Sequence, residues 1–241
     1  MLVASAALAG AAGGALAASA GSGERATAAR RAPVVRQMVV FRSGRTKLRR
    51  VRARGALVRV GHRRCAVARA TPLAALVRSR PGRIRLRDYG SCSLRARDGG
   101  GLFVRAIGRN RNKGRNGWVY KVGRKAGTAG AADPTGPFGH GRLRSGRRVV
   151  WFFCFLRTGG CQRSLELRAQ AEAGGIAVRA VGYDDEGHGV YVGGATVRAG
   201  PASAVTSSDG TAHLGLPPGT YRVAARKHGL VRSFPQRVVV K

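Results

Sequence analysis

Alternation of apolar and polar residues predicts β-strands over much of the chain, and the strongest pattern lies in residues 116–155. Residues 117–122 read Gly-Trp-Val-Tyr-Lys-Val, in which every second side chain is apolar, as in a strand with one buried face. Residues 149–155 are seven consecutive apolar residues. A membrane-spanning helix needs about 20 such residues, so this run predicts a strand that is buried on both faces.

The first half of the chain also carries the signals of one short helix among several strands. Thr71-Pro72 supplies an N-cap and a proline at the first helical position, and Pro81-Gly82 ends the helix. Alternation of apolar residues with arginine over residues 48–60 predicts a pair of strands. Single strands are predicted at residues 34–41, 84–89 and 102–107. The expected fold is mainly β and begins with a small α+β domain that contains one short helix.

After Ala-Gly-Gly at residues 173–175, the pattern predicts only strands and tight turns. Gly-Ala-Thr-Val at 194–197, Ser-Ser-Asp-Gly at 207–210 and Leu-Pro-Pro-Gly-Thr-Tyr at 216–221 follow one another in an order that resembles the carboxypeptidase regulatory-like domain. The resemblance covers nearly all of residues 175–241. It implies a prealbumin-like β-sandwich domain with no catalytic group, which acts as a structural or interaction module.

The first half of the chain resembles the transcobalamin-like C-terminal domain, which occurs in many secreted bacterial proteins of unknown function. The resemblance rests on residues 117–122 and on residues 141–151, which end in Val-Val-Trp. Gly123 and Arg147 stand where that family usually has Asn and Asp. The resemblance implies a small α+β domain, assigned to residues 33–172, and one half of a corrinoid site. The helical half is missing from this sequence, so corrinoid binding by the chain alone is expected to be weak.

The N-terminal sequence predicts export. Residues 1–20 are rich in Ala, Gly and Leu, carry no charge, and contain two small-x-small cleavage patterns at 15–17 and 18–20. We therefore expect a secretory signal peptide over residues 1–20 and a flexible linker over residues 21–32. A disordered tail is the alternative. The expected location is secreted or the extracytoplasmic cell envelope, and no membrane span is expected in the mature chain.

The four cysteines, Cys65, Cys92, Cys154 and Cys161, predict two disulfides in an exported protein. Three connectivities are possible, and we favour Cys65–Cys92 with Cys154–Cys161. A turn at residues 158–160 would place the second pair opposite each other on antiparallel strands. A zinc site is the alternative, which the absence of any Cys-x-x-Cys pair disfavours. No metal and no cofactor is expected.

The net charge of +35 comes almost entirely from arginine, which provides 39 of the 45 basic residues. The charge is uneven, because residues 25–174 carry a net +32 and residues 175–241 a net +4. Such a surface attracts polyanions without sequence selectivity. The expected partner is an anionic cell-envelope polymer, with a solvated surface shaped by codon bias as the alternative interpretation. No specific nucleic acid is expected, because the sequence contains no zinc-finger or helix-turn-helix spacing.

No catalytic motif is present, and we expect that the protein is not an enzyme. The sequence lacks HExxH, GxSxG and P-loop motifs. The enzyme alternative would need any two of Asp88, Asp133, His62 and His140 to converge in a cleft. Three neighbouring acids at 184–186 could ligate calcium in principle, but a solvated turn is the preferred interpretation.

The candidate binding surface combines aromatic and basic residues. Trp118, Tyr120 and Phe138 are the predicted aromatic contacts, with core packing as the alternative for the tryptophans. The basic hairpin tip at residues 109–115 contributes Arg109, Arg111, Lys113 and Arg115. Two functions follow from this surface: an exported, non-enzymatic binding or cell-surface interaction protein, or a protein that binds a small extracellular ligand. The sequence does not predict the oligomeric state.

Overall fold

The computed structural model describes residues 31–241, so the predicted signal peptide and nearly all of the predicted linker lie outside the described residues. The one α-helix of the described part is α1 Pro72–Ser79, and a 3-10 helix spans Ala96–Gly101. The strands are β1 Val34–Val40, β2 Thr46–Arg52, β3 Ala56–Val60, β4 Arg63–Val67, β5 Ile84–Asp88, β6 Leu102–Ile107, β7 Asn110–Arg111, β8 Gly117–Val122, β9 Lys125–Ala126, β10 Arg148–Cys154, β11 Ser164–Glu172, β12 Gly175–Tyr183, β13 Gly189–Tyr191, β14 Thr196–Ala199, β15 Ala202–Val205, β16 Thr211–Gly215, β17 Gly219–Arg226 and β18 Gln236–Val240.

A five-stranded sheet, here called the central sheet, organises the first half of the fold in the order β2-β1-β10-β8-β9. Strands β1 and β10 are parallel, and the other pairs are antiparallel. Trp151 of β10 lies opposite Val39 of β1 and Tyr120 of β8. Strand β10 therefore has a neighbour on each side and no solvent-exposed edge.

Both faces of the central sheet are covered. On one face, Trp151 and its neighbours pack in a core with Leu73 and Leu76 of α1, which are fully buried. On the other face, Val150 packs with Val231 and Phe234, from the segment between β17 and β18. The prediction that the apolar run is a strand buried on both faces is thus confirmed.

The helix α1 begins where the sequence predicted. Thr71 has extended backbone angles, and its Oγ1 accepts a hydrogen bond from the Ala74 amide at 3.2 Å. Such a cap contributes about 1 kcal/mol. Pro72 occupies the first turn, where its missing N–H costs no hydrogen bond. The helix ends at Ser79, and Arg80 follows it in a left-handed conformation.

Two small antiparallel sheets, β3-β4 and β5-β6-β7, complete the first half. Residues 48–60 do form two strands, β2 and β3, but the prediction that these strands pair with each other is wrong. Strand β2 pairs with β1, and β3 pairs with β4. The chain changes sheets at Ala53, whose N–H donates to the Pro33 carbonyl and whose carbonyl accepts from Ala70. Alternation identifies strands but does not specify their partners.

Two disulfides join Cys65 to Cys92 and Cys154 to Cys161, each with a Cα–Cα distance of 5.3 Å. The favoured connectivity is therefore confirmed. Two disulfides and no free cysteine indicate an oxidising, extracytoplasmic setting. In the described part of the chain, no helix is both long enough and apolar enough to cross a membrane.

Two four-stranded sheets share a second core. The β12 sheet consists of β11-β12-β13, with β16 also paired to β12, and the β17 sheet has the order β15-β14-β17-β18. Residues from both sheets, such as Ile176 and Val223, are fully buried in this core. The fold is mainly β, as predicted, while the prealbumin-like assignment stays a prediction.

The predicted domain boundary at residues 173–175 coincides with the tight turn between β11 and β12. These two strands pair along their whole length, from Ser164 opposite Tyr183 to Glu172 opposite Gly175. Strand β11 therefore belongs to the β12 sheet although it precedes the boundary. Residues Ala32–Lys241 form one compact unit.

Candidate functional site

The predicted aromatic contacts Trp118 and Tyr120 are buried, with exposed fractions of 3% and 8%. The Trp118 indole N–H donates to the Asn110 carbonyl at 2.9 Å, and the Tyr120 hydroxyl donates to the Ala129 carbonyl at 2.7 Å. An exposed stacking surface at these residues is therefore a wrong expectation. Period-two alternation shows that the two side chains share a face, but not that α1 and the loop after β9 cover that face.

The same rings line a cavity of about 250 Å³ at the edge of the core. Its walls include Trp118, Tyr120, Trp151 and the carboxylate-bearing Asp185. The Trp151 indole N–H is buried and has no hydrogen-bond partner among the described residues. Burial, with the nearby charge of Asp133, raises the pKa of the Tyr120 hydroxyl, so this group stays protonated. The cavity is thus apolar and aromatic with few polar groups, which is the usual composition of a small-molecule site.

Phe138 does not line this cavity. It is half-buried against the same core, and its ring lies 6.4 Å from the ring of His140 in a tilted arrangement. The structure therefore brings Trp118 and Tyr120 together in one cavity and leaves Phe138 outside it.

The basic tip lies where the sequence placed it, and all four of its predicted contacts are exposed: Arg109, Arg111, Lys113 and Arg115. Asn112 holds this hairpin by donating to the Val104 carbonyl and accepting from the Trp118 amide, both at 3.0 Å. The tip is thus an exposed hairpin that Asn112 holds in place and that carries four positive charges. Its role in binding stays a prediction.

Arginines also lie directly opposite one another on neighbouring strands. Arg36 of β1 lies between Arg50 of β2 and Arg148 of β10, and Arg59 of β3 faces Arg64 of β4. Like charges at opposed strand positions are destabilising. Burial lowers the pKa of the Arg36 guanidinium, and the charges of Arg148 and Arg222 lower it further.

Arg36 is partly stabilised inside this row. Its Nη2 donates to the Pro235 carbonyl at 2.6 Å, and its guanidinium lies 5.6 Å from the centre of the Phe234 ring. Neither contact supplies negative charge.

Lys121 is fully buried where the central sheet meets the end of β12. Its Nζ donates to the carbonyls of Tyr183 at 3.1 Å and Asp184 at 2.7 Å, and lies 3.1 Å from Asp185 Oδ1. The last contact is an ion pair without hydrogen-bond alignment, because Oδ1 has no hydrogen-bond partner among the described residues. Asp185 Oδ2 accepts from the Cys161 amide at 3.0 Å. Burial lowers the Lys121 pKa, and Asp185 opposes this effect.

The acids of the first half are engaged in local contacts. Asp88 accepts from the amides of Gly90 and Cys92, and Glu166 makes a two-point ion pair with Arg124 at 2.7 and 2.9 Å. In the described residues, one group of three potential metal ligands exists: Asp184, Glu186 and His188, whose ligand atoms lie within 4.8 Å of one another.

Glu186 and His188 of that group are exposed, whereas Asp184 is half-buried and already has partners. Asp184 accepts from the His188 amide and pairs with Arg163 at 3.5 Å. None of Asp88, Asp133, His62 and His140, any two of which would have to converge in a cleft under the enzyme hypothesis, belongs to this group. The expectation that the protein is not an enzyme stays a prediction.

No protein-family model, no curated protein and no solved structure matches this chain. The resemblances to the transcobalamin-like and carboxypeptidase regulatory-like domains therefore stay predictions.

Sequence reasoning missed the buried Lys121–Asp185 pair and the opposed arginines. Lys121 stood at a polar position of an alternating strand, which predicts exposure. The register that aligns Arg36 with Arg148 joins strands far apart in the sequence, and no local signal encodes it.

Proposed function

We propose that the protein is an exported, non-enzymatic binding protein whose arginine-rich surface contacts an anionic partner, such as an anionic polymer of the cell envelope. The observation that carries this proposal is the alignment of arginines at opposed strand positions. Arg36, Arg50 and Arg148 form one such row, and Arg59 and Arg64 another. Since these arrangements cost folding free energy, an anion that neutralises them stabilises the folded protein on binding.

The distribution of the remaining charges supports the proposal. Between Arg31 and Glu172, every lysine and arginine is exposed except Arg36, Lys121, Arg148 and Arg163. The acids of this part are few: residues 31–172 contain Asp88, Asp98, Asp133, Glu166 and Glu172. The field of the exposed arginines is therefore little compensated by the protein itself. Such a field accelerates encounters with polyanions and weakens as salt screens it.

The test is co-sedimentation of the oxidised full chain with isolated bacterial cell envelopes, over a range of salt concentrations. Dextran particles, which carry no charge, serve as the control. We expect saturable binding to the envelopes at low salt, a steep decrease as salt rises, and no binding to dextran. Absence of envelope binding at low salt would refute the proposal. Binding that is indifferent to salt would contradict the electrostatic mechanism.

A second function, the binding of a small extracellular ligand, is favoured by the aromatic cavity. Its volume of about 250 Å³ lies below the roughly 300–1,000 Å³ of sites for drug-sized ligands, so it suits a ligand of one or two rings and not a corrinoid. Both tryptophans of the chain, Trp118 and Trp151, line it. All tryptophan fluorescence therefore reports on this cavity.

The ligand hypothesis is tested by titrating the full chain with p-iodophenol, whose iodine quenches tryptophan on contact. Binding in the cavity predicts saturable quenching that Ala131→Leu, which places a larger side chain in the cavity wall, abolishes. Linear, unsaturable quenching that is equal in both proteins would exclude a site for single-ring ligands.

A further inference from the structure

An open groove of about 350 Å³ runs between the central sheet and the β17 sheet. Met38 and Leu48 of the central sheet form its apolar side. Its other side carries four arginines: Arg198, Arg222, Arg226 and Arg232. No aspartate or glutamate of the described residues lines it. The groove therefore has an apolar side and a positively charged side, and no acidic side chain in its wall neutralises the charge.

The strand register places three of these arginines on one face. Arg222 and Arg226 lie at alternate positions of β17 on either side of Ala224, and Arg198 of β14 lies directly opposite Ala224. All three are exposed, whereas Val223 and Ala225, on the opposite face of β17, are buried in the second core. At about 3.3 Å per residue, Arg222 and Arg226 are roughly 13 Å apart along the strand.

The fourth arginine, Arg232, differs from the other three because it is half-buried. Arg232 is half-buried, yet no described residue gives its guanidinium a hydrogen bond, an ion pair or an aromatic contact. Burying an unpaired charge is unfavourable. Arg232 also lines an adjoining cavity of about 760 Å³, whose wall includes the basic residues Arg42, Arg157 and Lys227 and no acidic residue. The two cavities share Arg226 and Arg232, so the basic lining is continuous between them.

We propose that this groove, here called the arginine groove, binds a flexible chain that carries oxyanion groups at intervals. The guanidinium group donates a planar pair of hydrogen bonds that matches a phosphate or a carboxylate. A single small ion reaches only part of a row that extends over roughly 13 Å, whereas a polymer reaches all of it. This inference rests on the proposed function and assigns its contact to residues of the second half, where the net charge of +4 gave no indication of a site.

The test compares two triple variants of the full chain that lose the same charge. The groove variant is Arg198→Gln, Arg222→Gln and Arg226→Gln, and the tip variant is Arg111→Gln, Lys113→Gln and Arg115→Gln. All six positions are exposed, so both variants are expected to fold, which an unchanged thermal midpoint verifies. Binding of fluorescent inorganic polyphosphate and of poly-L-glutamate is measured by anisotropy at about 0.15 M salt. The two probes distinguish phosphate from carboxylate as the source of the oxyanion.

We expect the groove variant to bind the preferred polymer about tenfold or more weakly, and the tip variant to lose no more than about threefold. Arg232→Gln, tested singly, is expected to weaken binding more than Arg115→Gln. Equal losses in the two triple variants would overturn the arginine groove while leaving general polyanion binding intact. If the wild-type protein binds neither polymer but sediments with envelopes, the groove is again refuted. Failure of both assays refutes the proposed function as well.

Discussion

The buried pair of Lys121 and Asp185 allows a quantitative prediction. Asp185→Asn removes the negative charge 3.1 Å from the Lys121 ammonium and keeps the size of the side chain. An amide oxygen is still available to accept from the Cys161 amide. Breaking a buried ion pair by removing one partner costs about 3–5 kcal/mol. The Lys121 side chain is fully buried but that of Asp185 is 23% exposed, so we expect a loss of free energy of unfolding at or below the lower limit of this range, about 2–3 kcal/mol.

The assay is urea unfolding of the oxidised protein at neutral pH, followed by tryptophan fluorescence and by far-UV circular dichroism. Arg124→Gln is the matched control, because it breaks an ion pair with Glu166 in which Arg124 is 44% exposed. Exposed pairs contribute about 0–1 kcal/mol. We therefore expect Asp185→Asn to lower the free energy of unfolding by at least twice as much as the control.

The position of Lys121 between two sheets adds a second expected result. Lys121 lies on β8 and hydrogen-bonds carbonyls at the end of β12, so the pair connects the central sheet to the β12 sheet. We expect the two spectroscopic transitions to coincide in the wild-type protein and to separate in Asp185→Asn. Adding Lys121→Met, which removes the orphaned charge, should recover part of the lost stability. If Asp185→Asn costs no more than Arg124→Gln, the reasoning from burial is refuted.

Two further predictions concern the disulfides and pH. Replacing Cys65 and Cys92 by alanine should lower the free energy of unfolding by about 3.5 kcal/mol, and replacing Cys154 and Cys161 by about 2.5 kcal/mol. The reason is that the pairs span 27 and 7 positions, and a longer closed loop restricts the unfolded chain more. Urea unfolding of both variants measures the two losses, and the opposite order would contradict the prediction. Burial lowers the Lys121 pKa below 10.5, so at alkaline pH under that value the unfolded chain binds more protons than the folded protein, and the free energy of unfolding should rise with pH. Lys121→Met should remove this rise in the alkaline range below pH 10.5, and an equal rise in both proteins would assign it to other groups.

Features that depend on neighbours in the sequence were predictable. Thr71 and Pro72 are adjacent, and their cap and first-turn preferences place the start of α1. Cys154 and Cys161 flank a glycine turn, so their pairing follows from local geometry. The apolar run of β10 predicts burial on both faces because no polar side chain in it requires solvent.

Features that depend on distant residues were not predictable. The segment containing Val231 and Phe234 covers one face of the central sheet, and no sequence pattern near β10 predicts this contact. Lys121 is buried because its carbonyl acceptors, 62 and 63 positions away, replace water around the ammonium. The arginine groove exists only because Met38 and Leu48 lie across from β14 and β17. In the sequence, Met38 and Leu48 lie in the first half of the chain and the arginines of the groove in the second half, so no local pattern indicates that they meet.

The parallel pairing of β1 with β10 has a consequence for folding kinetics. The Val34 amide donates to Ser145 Oγ, 111 positions later, and Arg36 donates to the Pro235 carbonyl, 199 positions later. Contacts between such distant residues require large loops to close before any of them stabilises the chain, and folding rates fall as such contacts accumulate. We therefore expect the central sheet to assemble late, which would leave the apolar side chains of Met38 and Val150 exposed and prone to aggregation until it forms. A chaperone that holds the chain in this interval would protect that surface.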